Sequence, residues 1–328
     1  VINLPFALVE AIQIITGQND PQALRFYNSA IIDIQGDGPR GTPHWQDGVT
    51  RFNAAYGERL RAFNAPAIKA VGIEDVPVRQ VDQLQHVIET LRRDPDSRQA
   101  SIVLSHPWFD HYTRQTNDRA CNVYAHAMIR NDRLDWMQII RSNDAVWGIP
   151  YNVVQWSHVQ EWVAASLNVP MGHMFIVQDS FHVYEDKYAE CNSVVLFDMY
   201  KYMETFLLPM QANDMIVSEL FAAERAVRSG MVFTPATLKD LENLVGLYWT
   251  DVIATLQSFR EFKIGHDERA YDILPLYGEL RLPLLRNYCQ WRWNKDKKYM
   301  NLVQAAYLDL SSCGVPSEEA DKWLGMAG

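Results

Sequence analysis

Two strand-like segments set almost end to end, CNVYAHAMIR (121–130) and RLDWMQII (133–140), constrain this chain more than any other feature. Both are rich in β-branched and aromatic residues, and only a short turn separates them. Such a pair folds back antiparallel, which returns residue 141 to the side of residue 121. Those positions hold Arg141 and Cys121. A cysteine at a strand start is by itself most often a small buried hydrophobe. A guanidinium beside it changes that reading, because a neighbouring positive charge lowers a thiol's pKa and supplies thiolate.

The stretch that follows, RSNDAVWGIPYN (141–152), is too irregular for one helix face and too polar for an inner strand. It reads as a loop that holds an anion at one end and a hydrogen-bonding edge at the other. A chain of 328 residues, 48% hydrophobic, can bury a large core. Its formal charge of −10 argues against wrapping a nucleic-acid backbone, while a few local arginines still suit a small anion. Four cysteines (Cys121, Cys191, Cys289, Cys313) lie far apart and match no zinc spacing. His106, His111 and His126 fit no metal template either, so no metal is assigned. With no apolar run near membrane-spanning length, the expectation is a cytoplasmic protein with reduced thiols and neither a nucleic-acid nor a membrane partner.

Periodicity divides the chain. Leu4, Leu8, Ile12 and Ile15 predict a helix stopped by Gly17. That helix opens the sequence without a preceding Met, so an upstream portion is expected to be missing. VDQLQHVIETLRRD (81–94) predicts a helix closed by Pro95, ASIVLSHP (100–107) a strand, and YNVVQWSHVQEWVAASLN (151–168) a helix with a Val154, His158, Trp162, Ala165 stripe. MGHMFIVQDSFHVYE (171–185) returns to strand. These define a core over 1–185. Residues 186–328 carry helical periods in three long segments and no catalytic constellation, which predicts a helical extension packed on the core. GDGPRGTP (36–43) lacks the context of a phosphate-binding loop and reads as a surface loop.

DPDSRQ (94–99), Cys121, RSNDAVWGIPYN and HVY (182–184), preceded by Glu10 in LVEAIQIITGQN and by YGERLR (56–61), together resemble the thymidylate synthase family, including its deoxypyrimidine-monophosphate hydroxymethylases. The resemblance implies an α+β fold, a mixed sheet with covering helices, here with a C-terminal helical extension, working as a homodimer. It also implies transfer of a one-carbon unit from 5,10-methylenetetrahydrofolate to C5 of a pyrimidine nucleotide. Cys121 would be the nucleophile at C6, and Glu10 the acid–base. Arg141 and Ser142 would hold the phosphate, joined by Arg98 reaching across to the partner's site. His182 and Tyr184 would bind the sugar. Asp144, Trp147, Gly148, Tyr151 and Trp45 would line the folate side. Asn152 would read uracil, whose N3–H donor and O4 acceptor match one amide; relatives that prefer cytosine carry aspartate there.

Five departures stand out. The family's second phosphate arginine is Gln99, and its aspartate two residues before the histidine is Ser180. A histidine usual after the nucleophile is Asn122, and one of two shielding tryptophans falls near Thr42. The closing tail is replaced by further sequence. A less sealed site favours capture of the intermediate by water over hydride transfer. The expected reaction is therefore hydroxymethylation of dUMP, with methylation to dTMP or hydroxymethylation of dCMP or CMP as alternatives.

Overall fold

The computed structural model describes residues 2–31, 45–46, 49–50, 52–65, 79–107, 110, 118–188, 210–266 and 269–270. Two compact units make up the chain, Phe6–Leu196 with Met210–Ala222 and, separately, Val1–Pro5 with Phe197–Pro209 and Ala223–Gly328.

Helix α1 (Leu4–Thr16) forms where the apolar period predicts it. Every residue in it except Glu10 is buried, and Gly17 ends it at φ 76°. Helix α2 (Pro21–Tyr27) follows, capped by the Asp20 carboxylate. Two small antiparallel pairs come next in sequence, β1 (Trp45–Gln46) with β2 (Val49–Thr50), and β3 (Phe63–Ala65) with β4 (Arg79–Val81). Between the pairs lies α3 (Tyr56–Arg61). Its Gly57 lies so near α1 that a Cβ there would sit 2.3 Å from the Gln13 carbonyl oxygen. Helix α4 (Gln83–Arg93) starts at the Asp82 cap and buries Leu84, Val87, Ile88 and Leu91, an i, i+3, i+4, i+7 face.

The centre is a four-stranded mixed sheet in the order β5 (Ser101–Val103), β6 (Asn122–Arg130), β7 (Arg133–Asp144), β8 (Met171–His182). Strands β5, β6 and β7 are antiparallel neighbours, and β7 runs parallel to β8. The β6–β7 turn is formed by Asn131 (φ 51°) and Asp132 (φ 57°). Two successive left-handed residues make the hairpin turn whose twist suits antiparallel strands. The β7–β8 connection is α5 (Ile149–Leu167), a helical crossover of the kind parallel strands require.

RSNDAVWGIPYN is not a loop. Strand β7 continues through Arg141–Asp144, with Ser142, Asn143 and Asp144 in register with Ser180, Phe181 and His182. Polar residues suit this inner strand because they bond to one another: Asn143 Nδ2 donates to Gln178 Oε1 at 2.6 Å. Ile149–Asn152 already form the first turn of α5, where Pro150 lacks no needed N–H. Only the four residues 145–148 connect strand to helix.

The α5 stripe also differs from expectation. Of Val154, His158, Trp162 and Ala165 only Trp162 is buried; the buried positions include Asn152, Gln155, Trp156, Val159, Gln160 and Val163. Three of these six are amides, so an apolar count misplaces the inward face.

The two sheet faces differ. Ile102, Ala125, Ala127, Trp136 and Ile140 are buried on one. On the other, rows of paired residues cross all four strands: Val103, Tyr124, Ile139, Val177 and Ser101, His126, Met137, Phe175. Val103, Phe175 and Val177 are 49%, 54% and 50% exposed.

Of the predicted C-terminal helices, two are α6 (Asp214–Ser229) and α7 (Pro235–Lys263), the latter opened by a Thr234 capping box and interrupted at Gly246 (φ 81°). Most of residues 186–209, where the first of the three C-terminal segments lies, with residues 271–328, the loop at 36–43, and Cys191, Cys289 and Cys313, lie outside the described residues.

Candidate active site

Cys121 stands at the start of β6, half-buried, and the hairpin returns Arg141 to it. The Arg141 N–H donates to the Cys121 carbonyl at 2.9 Å, and Arg141 Nη2 lies 3.9 Å from Cys121 Sγ. Arg141 Nε donates to the Ala120 carbonyl at 2.8 Å, which fixes the guanidinium beside the sulfur. Burial nevertheless pushes the Cys121 thiol above its ordinary pKa; Arg141 pulls it down, and Asp118 adds to the rise. The guanidinium therefore lowers the thiol's pKa, as expected, against a larger rise from burial.

Tyr56, the first residue of α3, was given no role by sequence reasoning. Its hydroxyl oxygen accepts the N–H groups of both Cys121 and Asn122, each at 3.1 Å. Burial, then the nearby Cys121, pushes its pKa up to about 12, so it remains a phenol. Gly57 is the signal that accounts for its position, since the close approach to α1 seats the tyrosine.

Helix α5 positions two further groups from one face. Asn152 is buried: its Oδ1 accepts from Asn122 Nδ2 at 2.9 Å, and its Nδ2 donates to Asn143 Oδ1 at 3.0 Å. One turn on, Gln155 Nε2 donates to Glu10 Oε2 at 2.8 Å. Glu10 is the one residue of α1 that keeps some exposure, yet its carboxyl is enclosed. Burial pushes its pKa up to about 8, against the lowering effect of the Gln155 amide. Glu10 is thus a carboxylic acid at neutral pH. Gln155 was also missed; its signal was an amide three residues from Asn152, on the same helix face.

Gly148 allows α5 to begin this close to the sheet. A Cβ there would lie 2.3 Å from Asn143 Oδ1 and 2.6 Å from the Asp144 backbone nitrogen and oxygen. Asp144 Oδ1 accepts from the Val146 N–H at 2.8 Å and from the Trp147 N–H. Its Oδ2 is buried with no hydrogen-bond partner among the described residues. Trp147 is 45% exposed and has the Lys187 ammonium 5.8 Å from its ring centroid.

Ser142 is part-buried beside Ser180 in the β7–β8 ladder. His182 ends β8, receives the Ala145 N–H on its carbonyl at 2.9 Å, and meets Tyr184 edge-on at 5.3 Å. Tyr184 lies beyond the strand, just before the turn Glu185–Lys187, so the strand expected over 171–185 ends at His182 and the two rings meet by direct contact. Tyr151 is buried, packed edge-on against Phe6 at 5.5 Å. Arg98 is exposed, and among the described residues its side chain is bonded to none of this cluster; its carbonyl accepts from His126 on the exposed sheet face at 3.2 Å. Trp45 is placed only as backbone of β1; its side chain, like Thr42, lies outside the described residues.

A mixed α+β sheet thus carries a thiol beside a guanidinium, and helix α5 holds a buried asparagine and, one turn on, the partner of a buried carboxylic acid, groups that can do nucleophilic and acid–base chemistry. The chain belongs to the thymidylate synthase family, whose profile matches residues 2–215. It is similar to the deoxyuridylate hydroxymethyltransferase of Bacillus phage SP01, 36% identical over 57% of this chain and 45% of the phage protein. The deoxyuridylate hydroxymethyltransferase of Pseudomonas phage M6 is 31% identical over 55% of this chain and 44% of its own length. A bifunctional dihydrofolate reductase-thymidylate synthase of Paramecium tetraurelia is 30% identical over 32% of this chain and 22% of its own length. The chain thus spans less than half the length of each of these relatives.

Proposed function

We propose that the protein hydroxymethylates C5 of dUMP, using 5,10-methylenetetrahydrofolate as the one-carbon donor. The observation that carries this reading is the Cys121–Arg141 pair, 3.9 Å apart, with Asn152 buried in contact with the next residue, Asn122. The two phage relatives named for deoxyuridylate support the substrate.

The thiol loses its proton as the nucleotide binds. The sulfur of Cys121 then bonds to C6, the C5–C6 π pair moves onto the C4 carbonyl oxygen, and C5 becomes enolate-like. Arg141, with Ser142 beside it, supplies the planar fork that suits a phosphate. Asn152 holds the uracil edge and His182 with Tyr184 the sugar. Glu10, held as an acid by burial, gives and takes protons at the base. Once C5 has bonded the one-carbon unit and given up its proton, with tetrahydrofolate leaving as an amine, the base would carry an exocyclic methylene. Water would add its oxygen to that carbon, and its proton would go to the Cys121 sulfur as that sulfur leaves and the C5–C6 double bond is restored.

When bound, the folate supplies the one-carbon unit at the oxidation level of formaldehyde. The residues present fit it: Asp144 Oδ2 is a buried acceptor with no partner among the described residues, and exposed Trp147 offers a flat apolar face. Gly148 and Tyr151 would shape that side, with Trp45 completing it.

A second copy of the chain is the occupant we assign to the exposed sheet face. Val103, Phe175 and Val177 lie there in two rows that cross four strands, and the Arg98 backbone is tied to one of those rows through His126. Arg98 would then serve the partner's phosphate site. Residues 186–328 are assigned as the helical extension of this core, and a cytoplasmic setting fits a nucleotide and a folate as ligands.

Incubation with dUMP and the folate, with mass spectrometry of the nucleotide, tests the product. The expected result is 5-hydroxymethyl-dUMP without dihydrofolate absorbance; a methylated product with dihydrofolate overturns it. Mixing inactive Arg98→Ala and Cys121→Ala proteins tests the dimer, since exchange assembles one intact site and restores activity. No restoration places Arg98 outside the partner's site.

A further inference from the structure

Five hydrogen bonds join six side chains in one direction. Trp136 Nε1 donates to Gln138 Oε1 at 3.2 Å, Gln138 Nε2 to Asn122 Oδ1 at 3.1 Å, and Asn122 Nδ2 to Asn152 Oδ1 at 2.9 Å. Asn152 Nδ2 then donates to Asn143 Oδ1 at 3.0 Å, and Asn143 Nδ2 to Gln178 Oε1 at 2.6 Å. Trp136 and Gln138 are fully enclosed, Asn122 and Asn143 are 1% exposed and Asn152 is 9% exposed, so water does not substitute for a missing partner.

The sense of this chain is not arbitrary. An amide can turn over and exchange its donor and acceptor ends, but an indole N–H can only donate. The Trp136 N–H therefore requires an oxygen from Gln138, which turns the Gln138 nitrogen to Asn122, and the choice passes along to Asn152. Asn152 is left with one lone pair on its Asn122 side and one N–H on its Asn143 side. That fixed order matches one pyrimidine only. Uracil offers a donor at N3 and an acceptor at position 4; cytosine offers the reverse, and an overturned Asn152 amide would fit it equally well.

We propose that Trp136, through Gln138 and Asn122, is the positioning residue that sets which pyrimidine Asn152 accepts. The Asn152 side chain is competent for either base, and the direction of the buried chain makes the selection. This rests on uracil being the base bound, in which case N3–H faces the Asn122 side and O4 the Asn143 side.

The test is the ratio of dUMP to dCMP affinity, measured by equilibrium dialysis on the whole chain. Trp136→Phe removes the anchor and frees the amides to turn over. The ratio is expected to fall about tenfold to a hundredfold, the scale of one mismatched buried hydrogen-bond pair. Gln138→Glu, titrated from neutral to alkaline pH, is the stronger case. As a carboxylate it accepts from both Trp136 and Asn122, which reverses every later bond, so dCMP binding should rise with pH while that of the wild type does not. Variants that melt cooperatively but keep the wild-type ratio, or lose both nucleotides in equal measure, overturn the proposal. Should the wild type bind neither nucleotide, the reading of the substrate fails separately. The chain is then judged by NMR on the free protein: faster exchange of the Asn152 side-chain amide protons in Trp136→Phe supports it, and unchanged exchange overturns it.

Discussion

The two poles of the site are built on opposite terms. Around Asn152 the polar groups are buried and bonded to one another in a continuous chain. Around Cys121 the thiol is half exposed, its guanidinium neighbour lies at 3.9 Å, and its pKa is raised by burial rather than held down. A buried network that leaves only one acceptor and one donor open is rigid and suits recognition. A group that must form and break a bond needs open valence and a tunable proton. On the proposed reading, selection and chemistry fall on neighbouring residues, Asn122 and Cys121, which share only the Tyr56 hydroxyl through their backbone N–H groups.

The largest expected effect breaks the reactive pole. Cys121→Ala should reduce kcat on the order of 10⁵–10⁶-fold, the scale on which losing a nucleophile affects another covalent enzyme, while dUMP binding survives. Binding measured by calorimetry beside turnover checks this; loss of both together would merge the poles. Next is Asn152→Asp, expected to move the dUMP-to-dCMP preference about tenfold to a few hundredfold towards cytosine while the rate of Cys121 alkylation stays unchanged. Arg141→Gln should do the opposite. It removes the charge that, among the described residues, lowers the thiol's pKa, so alkylation at neutral pH should slow.

Glu10 sharpens the comparison by pH. Its folded pKa of about 8 lies above the ordinary 4.5, so the folded chain binds this proton more tightly than the unfolded one. Stability from this group is complete below about 4.5 and is lost as pH rises through about 8. Glu10→Gln should therefore melt like the wild type at pH 4.5 and at a progressively higher temperature than the wild type towards pH 8. The proton-transfer step of the wild type should slow above pH 8, and the variant should lack that limb. Smallest is Gly148→Ala. Overlap with Asn143 and Asp144 should cost about 1–3 kcal/mol, read by denaturant melts, with a matching loss of nucleotide selectivity.

Much of this was legible in sequence because it is local. The hairpin of 121–140, the helix at 81–94 and the glycine stop at Gly17 each follow from period and turn residues within one element. The reactive pair followed from the hairpin alone. What escaped notice depended on tertiary bonding. Arg141–Asp144 looked too polar for an inner strand because its partner Gln178 lies on another strand, beyond a helical crossover. The buried face of α5 was misassigned because Asn152, Gln155 and Gln160 count as polar until their partners are known. Tyr56 appeared only as part of a motif, since its bonds to the Cys121 and Asn122 backbone span 65 and 66 residues.

The β6–β7 turn also bears on how the site comes into being. Cys121 and Arg141 are brought together by a two-residue reversal, whereas Gln155 meets Glu10 across a separation of 145 residues. Closing a short loop sacrifices far less chain entropy than closing a long one. Cys121 and Arg141 are therefore expected to pair early in folding, with Glu10 joining them only when the first helix docks.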